Sequence, residues 1–173
     1  MSYQNKTYIA FDGEDLYAYS LMRAWKENEN IEFDFYDAHD LNTALDTSQP
    51  ETIIDRLRER LANAKQVILL VSNTTRSKAA DEDTFLYYEV EAIRRRRLPV
   101  VFANLNGSRK IQSSKLPASL ASDYYTMSVS WQPKIIMLAL DDYVAKFQDN
   151  LTADDPKTGP YYYLDSVYED LGL

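Results

Sequence analysis

The sequence contains no cysteine, one histidine (His39) and only four glycines in 173 residues. Each shortage closes off a class of chemistry. Without thiols there is no disulfide, no thiol nucleophile and no Cys-ligated metal. One histidine excludes two-His metal motifs and leaves carboxylates alone as ligands. No carboxylate spacing suits a cation, so no metal is expected, and His39 reads as a loop residue. Four glycines are too few for a dinucleotide fingerprint, and that pattern is absent. Long apolar runs are also missing. Stretches such as Val67–Val71 are too short to cross a bilayer. Met1–Lys6 lacks an apolar signal region. The expectation is therefore a cytoplasmic protein with no membrane partner. Positive charge is scarce: 19 Lys and Arg stand against 27 Asp and Glu, a net charge of −8. A nucleic-acid surface needs the opposite balance, so no nucleic-acid partner is expected. The one basic cluster, Arg94–Arg97, falls at the end of a predicted helix, where cations complement the helix dipole.

What is present suits one globular domain. The length supports a single core, and the hydrophobic share of 45% is ordinary. Thr7–Phe11 reads as a short apolar strand. Asp12–Asp15 then turns into a helix running to about Glu27, with Asp12 as the expected N-cap. Residues 31–36 alternate apolar and polar, as an edge strand does. Asp37–Gln49 is a long polar loop. Pro50 opens the next helix, whose stripe is Ile53, Ile54, Leu57 and Leu61. Gln66–Val71 is continuously apolar, the mark of a strand covered on both faces. Ser72–Asp81 reads as loop. A helix carrying Glu89 follows, then a strand at 99–103, a polar loop, a fifth strand at 124–129 and a last amphipathic helix at 133–148.

Strand and helix thus alternate five times, which predicts a three-layer α/β domain with a parallel sheet. The expected flavodoxin-like order is 2-1-3-4-5, with ligands at the carboxyl ends of strands one and three. Residues 1–149 form the expected domain. Residues 150–173 form a tail, rich in tyrosine at Tyr161, Tyr162 and Tyr163, expected to pack on that domain. The 14 tyrosines of the chain suit packing or a partner surface better than chemistry.

Fold alone does not choose among flavodoxin-like families. A two-component receiver needs an acceptor Asp at the end of strand three, where this chain has Val71-Ser72-Asn73, and a Lys after strand five, which is absent. A flavodoxin needs a phosphate loop after strand one, and Asp12-Gly-Glu-Asp15 is acidic there. The segment Phe85-Leu-Tyr-Tyr-Glu89 is more telling. Helical spacing puts an aromatic ring and a carboxylate on one face, with Tyr88 adjacent. With Phe11-Asp12, Phe35-Tyr36-Asp37 and Leu70-Val-Ser-Asn-Thr-Thr75 in order, this pattern resembles the Toll/interleukin-1 receptor (TIR) domains. Among these it is similar to the TIR-like proteins of bacterial Thoeris anti-phage defence. Phe85 stands where that family usually has tryptophan.

The resemblance implies an enzyme that cleaves the nicotinamide–ribose bond of NAD. NAD is then the substrate, with no separate cofactor. Glu89 is implied as the catalytic carboxylate, stabilising an oxocarbenium-like state. Substrate-binding roles fall to Asp12 at the acidic helix entry and to Phe85 and Tyr88. Phe11 and Tyr36 would wall the nicotinamide, Ser72 and Thr74 would donate to ribose or diphosphate, and Arg76 would neutralise diphosphate. Glu89 should then be partly exposed in a cleft, within reach of Phe11 and Ser72. The resemblance also implies a cyclic ADP-ribose isomer as a signal to a separate effector, a phage-derived trigger, and self-association on activation, with the Asp37–Gln49 loop as gate. A non-catalytic TIR-like assembly module is the alternative, because a structural Glu89 and a catalytic one read alike in sequence.

Overall fold

The computed structural model describes residues 5–37 and 49–173. Among these, the strands are β1 (Lys6–Ala10), β2 (Tyr36–Asp37), β3 (Gln66–Val71), β4 (Val100–Asn104), β5 (Thr126–Ser130) and β6 (Pro160–Tyr162). All pair in parallel, in the order β2-β1-β3-β4-β5-β6. The helices are α1 (Leu16–Glu27), α2 (Pro50–Leu61), α3 (Thr75–Ala79), α4 (Phe85–Arg96), α5 (Ala118–Ala121), α6 (Pro133–Asn150) and α7 (Asp165–Asp170).

The sheet divides the core in two. On one face Ile9, Ile68, Val101 and Val129 pack under α1, α6 and α7. On the other, Tyr8, Leu69, Val71, Val100 and Phe102 pack under α2 and α4, with Leu120 of α5. Every residue of β3 and β4 is buried. The continuous apolar run at 66–71 is thus a central strand, as both-face coverage requires.

The structure extends and corrects the sequence reading in four places. The expected order of five strands is present, and β6, from the tyrosine-rich tail, adds a sixth beside β5. Behind it Tyr168 of α7 is fully buried, and its hydroxyl accepts a hydrogen bond from the Ser130 backbone N–H at 3.0 Å. Among the described residues the second strand covers only Tyr36–Asp37, not the 31–36 alternation. Phe33 and Phe35 are buried, but by packing: Trp25 meets Phe33 edge-on at 5.6 Å, and Phe33 meets Phe35 at 5.5 Å. Ladder pairing to β1 begins only at Tyr36. Part of the expected 72–81 loop is the short helix α3, so Glu89 lies on the fourth helix rather than the third. Finally, Asp12 does not cap a helix with its side chain. Its carbonyl accepts from the Asp15 N–H at 2.7 Å, while its carboxylate turns to Thr74.

Candidate functional site

In this strand order the chain leaves β1 toward one sheet face and β3 toward the other. The crevice between their carboxyl ends is where open parallel sheets bind ligands. The residues leaving β1 are Phe11 and Asp12; those leaving β3 are Ser72 to Thr75. Hydrogen bonds join the two exits. Ser72 Oγ donates to Asp15 Oδ2 at 2.7 Å, and Thr74 Oγ1 donates to Asp12 Oδ2 at 2.7 Å. The two hydroxyls lie 3.1 Å apart, and Thr75 Oγ1 accepts from the Ser72 N–H at 2.8 Å. Asp12 and Asp15 are only 3% and 5% exposed. Burial pushes the Asp15 carboxyl above its ordinary range, the Ser72 hydrogen bond works against this, and Asp12 and Glu14 add to the rise. Phe11, beside this network, is half-buried and stacks on Tyr19 with ring centroids 5.2 Å apart.

Glu89 occupies a second setting. Thr84 caps α4 by accepting the Tyr87 N–H at 3.3 Å, while its own hydroxyl is held by the carbonyls of Lys78 and Asp81. A crossover helix after β3 starts at the carboxyl edge of the sheet. Glu89 therefore lies about 6 Å down the helix from its start at Phe85. It is 1% exposed, and its Oε1 accepts a hydrogen bond of 2.6 Å from the Tyr8 hydroxyl on β1. Burial, then the charge of Glu89, push the Tyr8 phenol well above its ordinary value, and Arg60 on α2 pulls it back down. The Arg60 guanidinium also lies over the Phe85 ring, 5.8 Å from its centroid. Glu89 thus pairs with the buried Tyr8 between β1 and α4, with the half-buried Arg60 of α2 and Phe85 of α4 beside the pair. The expectation of a partly exposed Glu89 is corrected: α2 and β1 close over this face of α4, and the carboxylate has exchanged water for the Tyr8 hydroxyl.

The other candidate residues are spread out. Asp12, Ser72 and Thr74 come together at the strand ends. Arg76 points away from them, donating to the carbonyls of Ser113 and Leu116 at 3.1 and 3.3 Å and so pinning the loop after β4. Tyr88, next to Glu89 in sequence, turns outward to a groove between α2 and α4. Consecutive helical residues point about 100° apart, which separates it from the Glu89 group. Tyr36 pairs with Lys6 in the sheet. His39 and most of the Asp37–Gln49 loop lie outside the described residues. Among the described residues, no group of three or more acidic or histidine side chains can hold a metal, and no helix is long and apolar enough to cross a membrane.

Sequence reasoning missed Tyr8 and Arg60, and it named Asp15 and Thr75 only as parts of the acidic helix entry and the polar strand exit, without a site role. Tyr8 carried a signal, a hydroxyl within the run Tyr8–Phe11 that enters the core and so needs a partner inside the fold.

The family model described as "Thoeris protein ThsB, TIR-like domain" matches residues 8–110, more than half of the chain. The chain belongs to this family. The match runs from Tyr8 into the loop after β4, so it contains Asp12, Asp15, Ser72, Thr74, Phe85 and Glu89. This is a family of anti-phage defence. The parts that close the sheet's far edge, β5, α6, β6 and α7, lie beyond the match.

Proposed function

We propose that this chain cleaves the nicotinamide–ribose bond of NAD with Glu89 as the charge-stabilising carboxylate, and that it releases a cyclic ADP-ribose-type signal. The observation that carries this reading is the Glu89–Tyr8 pair, a carboxylate oriented by a phenol in dehydrated surroundings and set on α4 of a TIR-like domain. Nicotinamide in NAD is cationic and departs neutral, taking the bonding electrons onto its ring nitrogen. Positive charge develops on the ribose C1′ and its ring oxygen. A fixed carboxylate facing that carbon lowers the barrier, and exclusion of water strengthens the effect. Attack on C1′ by water gives ADP-ribose. Attack by a nucleophilic atom of the same ADP-ribosyl group, with loss of its proton, gives a cyclic isomer. A dry site favours the second route.

The remaining side chains have roles in this scheme. Ser72 and Thr74, whose protons are directed to Asp15 and Asp12, present hydroxyl oxygens at the strand ends that can accept from the ribose hydroxyls. Phe11 offers its ring face to nicotinamide. Tyr8 holds the Glu89 carboxylate at a fixed angle. Because Glu89 is buried, substrate entry requires α4, or the chain above it, to shift. Low basal activity that rises on assembly, in response to a phage-derived trigger, fits this demand. A separate effector then reads the nucleotide product. On α1, Leu16, Tyr17 and Leu21 are 45%, 62% and 43% exposed, an apolar patch suited to self-association.

The second reading is a non-catalytic assembly module. It is favoured by the same burial of Glu89, since a hydrogen-bonded buried carboxylate also serves structure. Incubating the purified chain with NAD and resolving the products by chromatography, with and without phage lysate, tests the proposal. Release of nicotinamide together with a cyclic product supports it. Intact NAD under every condition supports the assembly module.

A further inference from the structure

Outside the Glu89 group, α2 and α4 flank a groove of about 480 Å³. Its α4 wall follows one helical row. Tyr87, Glu91 and Arg95 are spaced four residues apart, with Tyr88 and Arg96 beside the two ends. Along the helix axis the row spans about 12 Å from the tyrosine to the arginine. Arg58 of α2 lines the same groove over an apolar floor that includes Leu57. The order is therefore aromatic, then carboxylate, then cationic. Three arginines gathered in one groove stand out in a chain of net charge −8.

From this we propose that the groove binds a nucleoside diphosphate. The base stacks on one ring of the Tyr87–Tyr88 pair and meets the other edge-on, the ribose hydroxyls donate to Glu91, and the phosphates meet Arg95, Arg96 and Arg58. Several features prepare the groove for this. Tyr87 and Tyr88 already form a perpendicular ring pair at 5.2 Å, leaving a face for stacking. Arg96 is positioned by its hydrogen bond to the Leu61 carbonyl at 3.2 Å. Arg58 contacts Asp55 at 3.4 Å, but both side chains are largely exposed, so that pair competes weakly with a phosphate. Glu91 repels phosphate from the tyrosine end and fixes the ligand's direction. The volume lies in the range of small-molecule sites. Binding here also presses on the outer face of the helix that carries Glu89, so occupancy would bias the position of α4.

Metal-free ADP is the probe, titrated calorimetrically into the purified chain. ADP should bind more tightly than adenosine or pyrophosphate alone. Arg58→Ala and Arg95→Ala should each weaken it about tenfold, as loss of one charge-assisted contact does. Both residues are on the surface, so unchanged melting temperatures verify the fold. Ser72→Ala and Thr74→Val, at the strand ends, should leave this binding event in place. The proposal is overturned if ADP does not bind, if Arg95→Ala leaves the affinity unaltered, or if the strand-end variants abolish binding while the groove variants do not. It is equally overturned if pyrophosphate binds as tightly as ADP. None of these outcomes depends on NAD cleavage.

Discussion

The hydroxyl of Tyr8 lies 2.6 Å from Oε1 of Glu89, across 81 residues of sequence, and both side chains are buried. This bond fastens α4 to β1 and fixes the direction of the one acidic side chain of α4 that is buried. Taking one donor away from a buried acceptor costs more than the bond itself contributes, because water cannot replace it. Tyr8→Phe should therefore lower stability by about 1–3 kcal/mol. Chemical denaturation of both proteins measures it. Unchanged stability would mean that the carboxylate finds another donor at no cost.

Asp15 gives a pH prediction. Its carboxyl is raised in the fold, with burial the main cause. Protonation therefore favours the folded state. The stabilisation is complete below the ordinary carboxylate range, and it is lost as pH climbs through the raised folded value. Asp15→Asn keeps an oxygen for the Ser72 hydroxyl and removes the buried charge. The variant should be at least as stable as the parent at neutral pH. Its stability should also change less between the ordinary carboxylate range and neutrality. Melting curves across that range check this, and parallel pH profiles for the two proteins would contradict it.

The tail should be part of the folding unit. Tyr168 is fully buried, and β6 covers the edge of β5. Tyr168→Ala should cost about 3–5 kcal/mol, as for other large aromatic truncations. Cutting the chain before Pro160 should also expose the β5 edge and promote association of the sheet. Thermal melts and gel filtration read the two effects. A truncated chain that melts like the parent would show the tail to be an appendage.

If assembly switches on the proposed NAD cleavage, specific activity should rise with protein concentration. Leu21→Glu places a charge in the exposed patch with Leu16 and Tyr17 and should flatten that rise while leaving the melting temperature near the parent's. Initial rates over a dilution series provide the test. Full activity in dilute monomer would exclude activation by assembly.

Much of the fold was legible because its causes are local. The apolar run at 66–71 can only be a central strand, and Pro50 and Pro133 mark helix starts. The Phe85–Glu89 spacing placed both residues on α4. Other features have causes that are not local. Phe33 and Phe35 alternate because they pack near Trp25, and the same pattern on a ladder would look identical. Strand β6 is only three residues long and opens with a proline, so its pairing depends on the β5 edge rather than on its own pattern. Arg76 reads as a free cation until its carbonyl partners, 37 and 40 residues away, are in place. The closeness of Tyr8 to Glu89 is likewise a property of the fold alone.

Glu89→Gln tests the central claim most directly. The amide is nearly isosteric, and its oxygen can still accept the Tyr8 hydrogen, so the melting temperature should stay close to the parent's. The negative charge at the proposed reaction centre is gone. Nicotinamide release from NAD should then fall by roughly 10²–10³. A folded Glu89→Gln protein that cleaves NAD at the parent's rate would contradict the account and leave Glu89 as a structural residue.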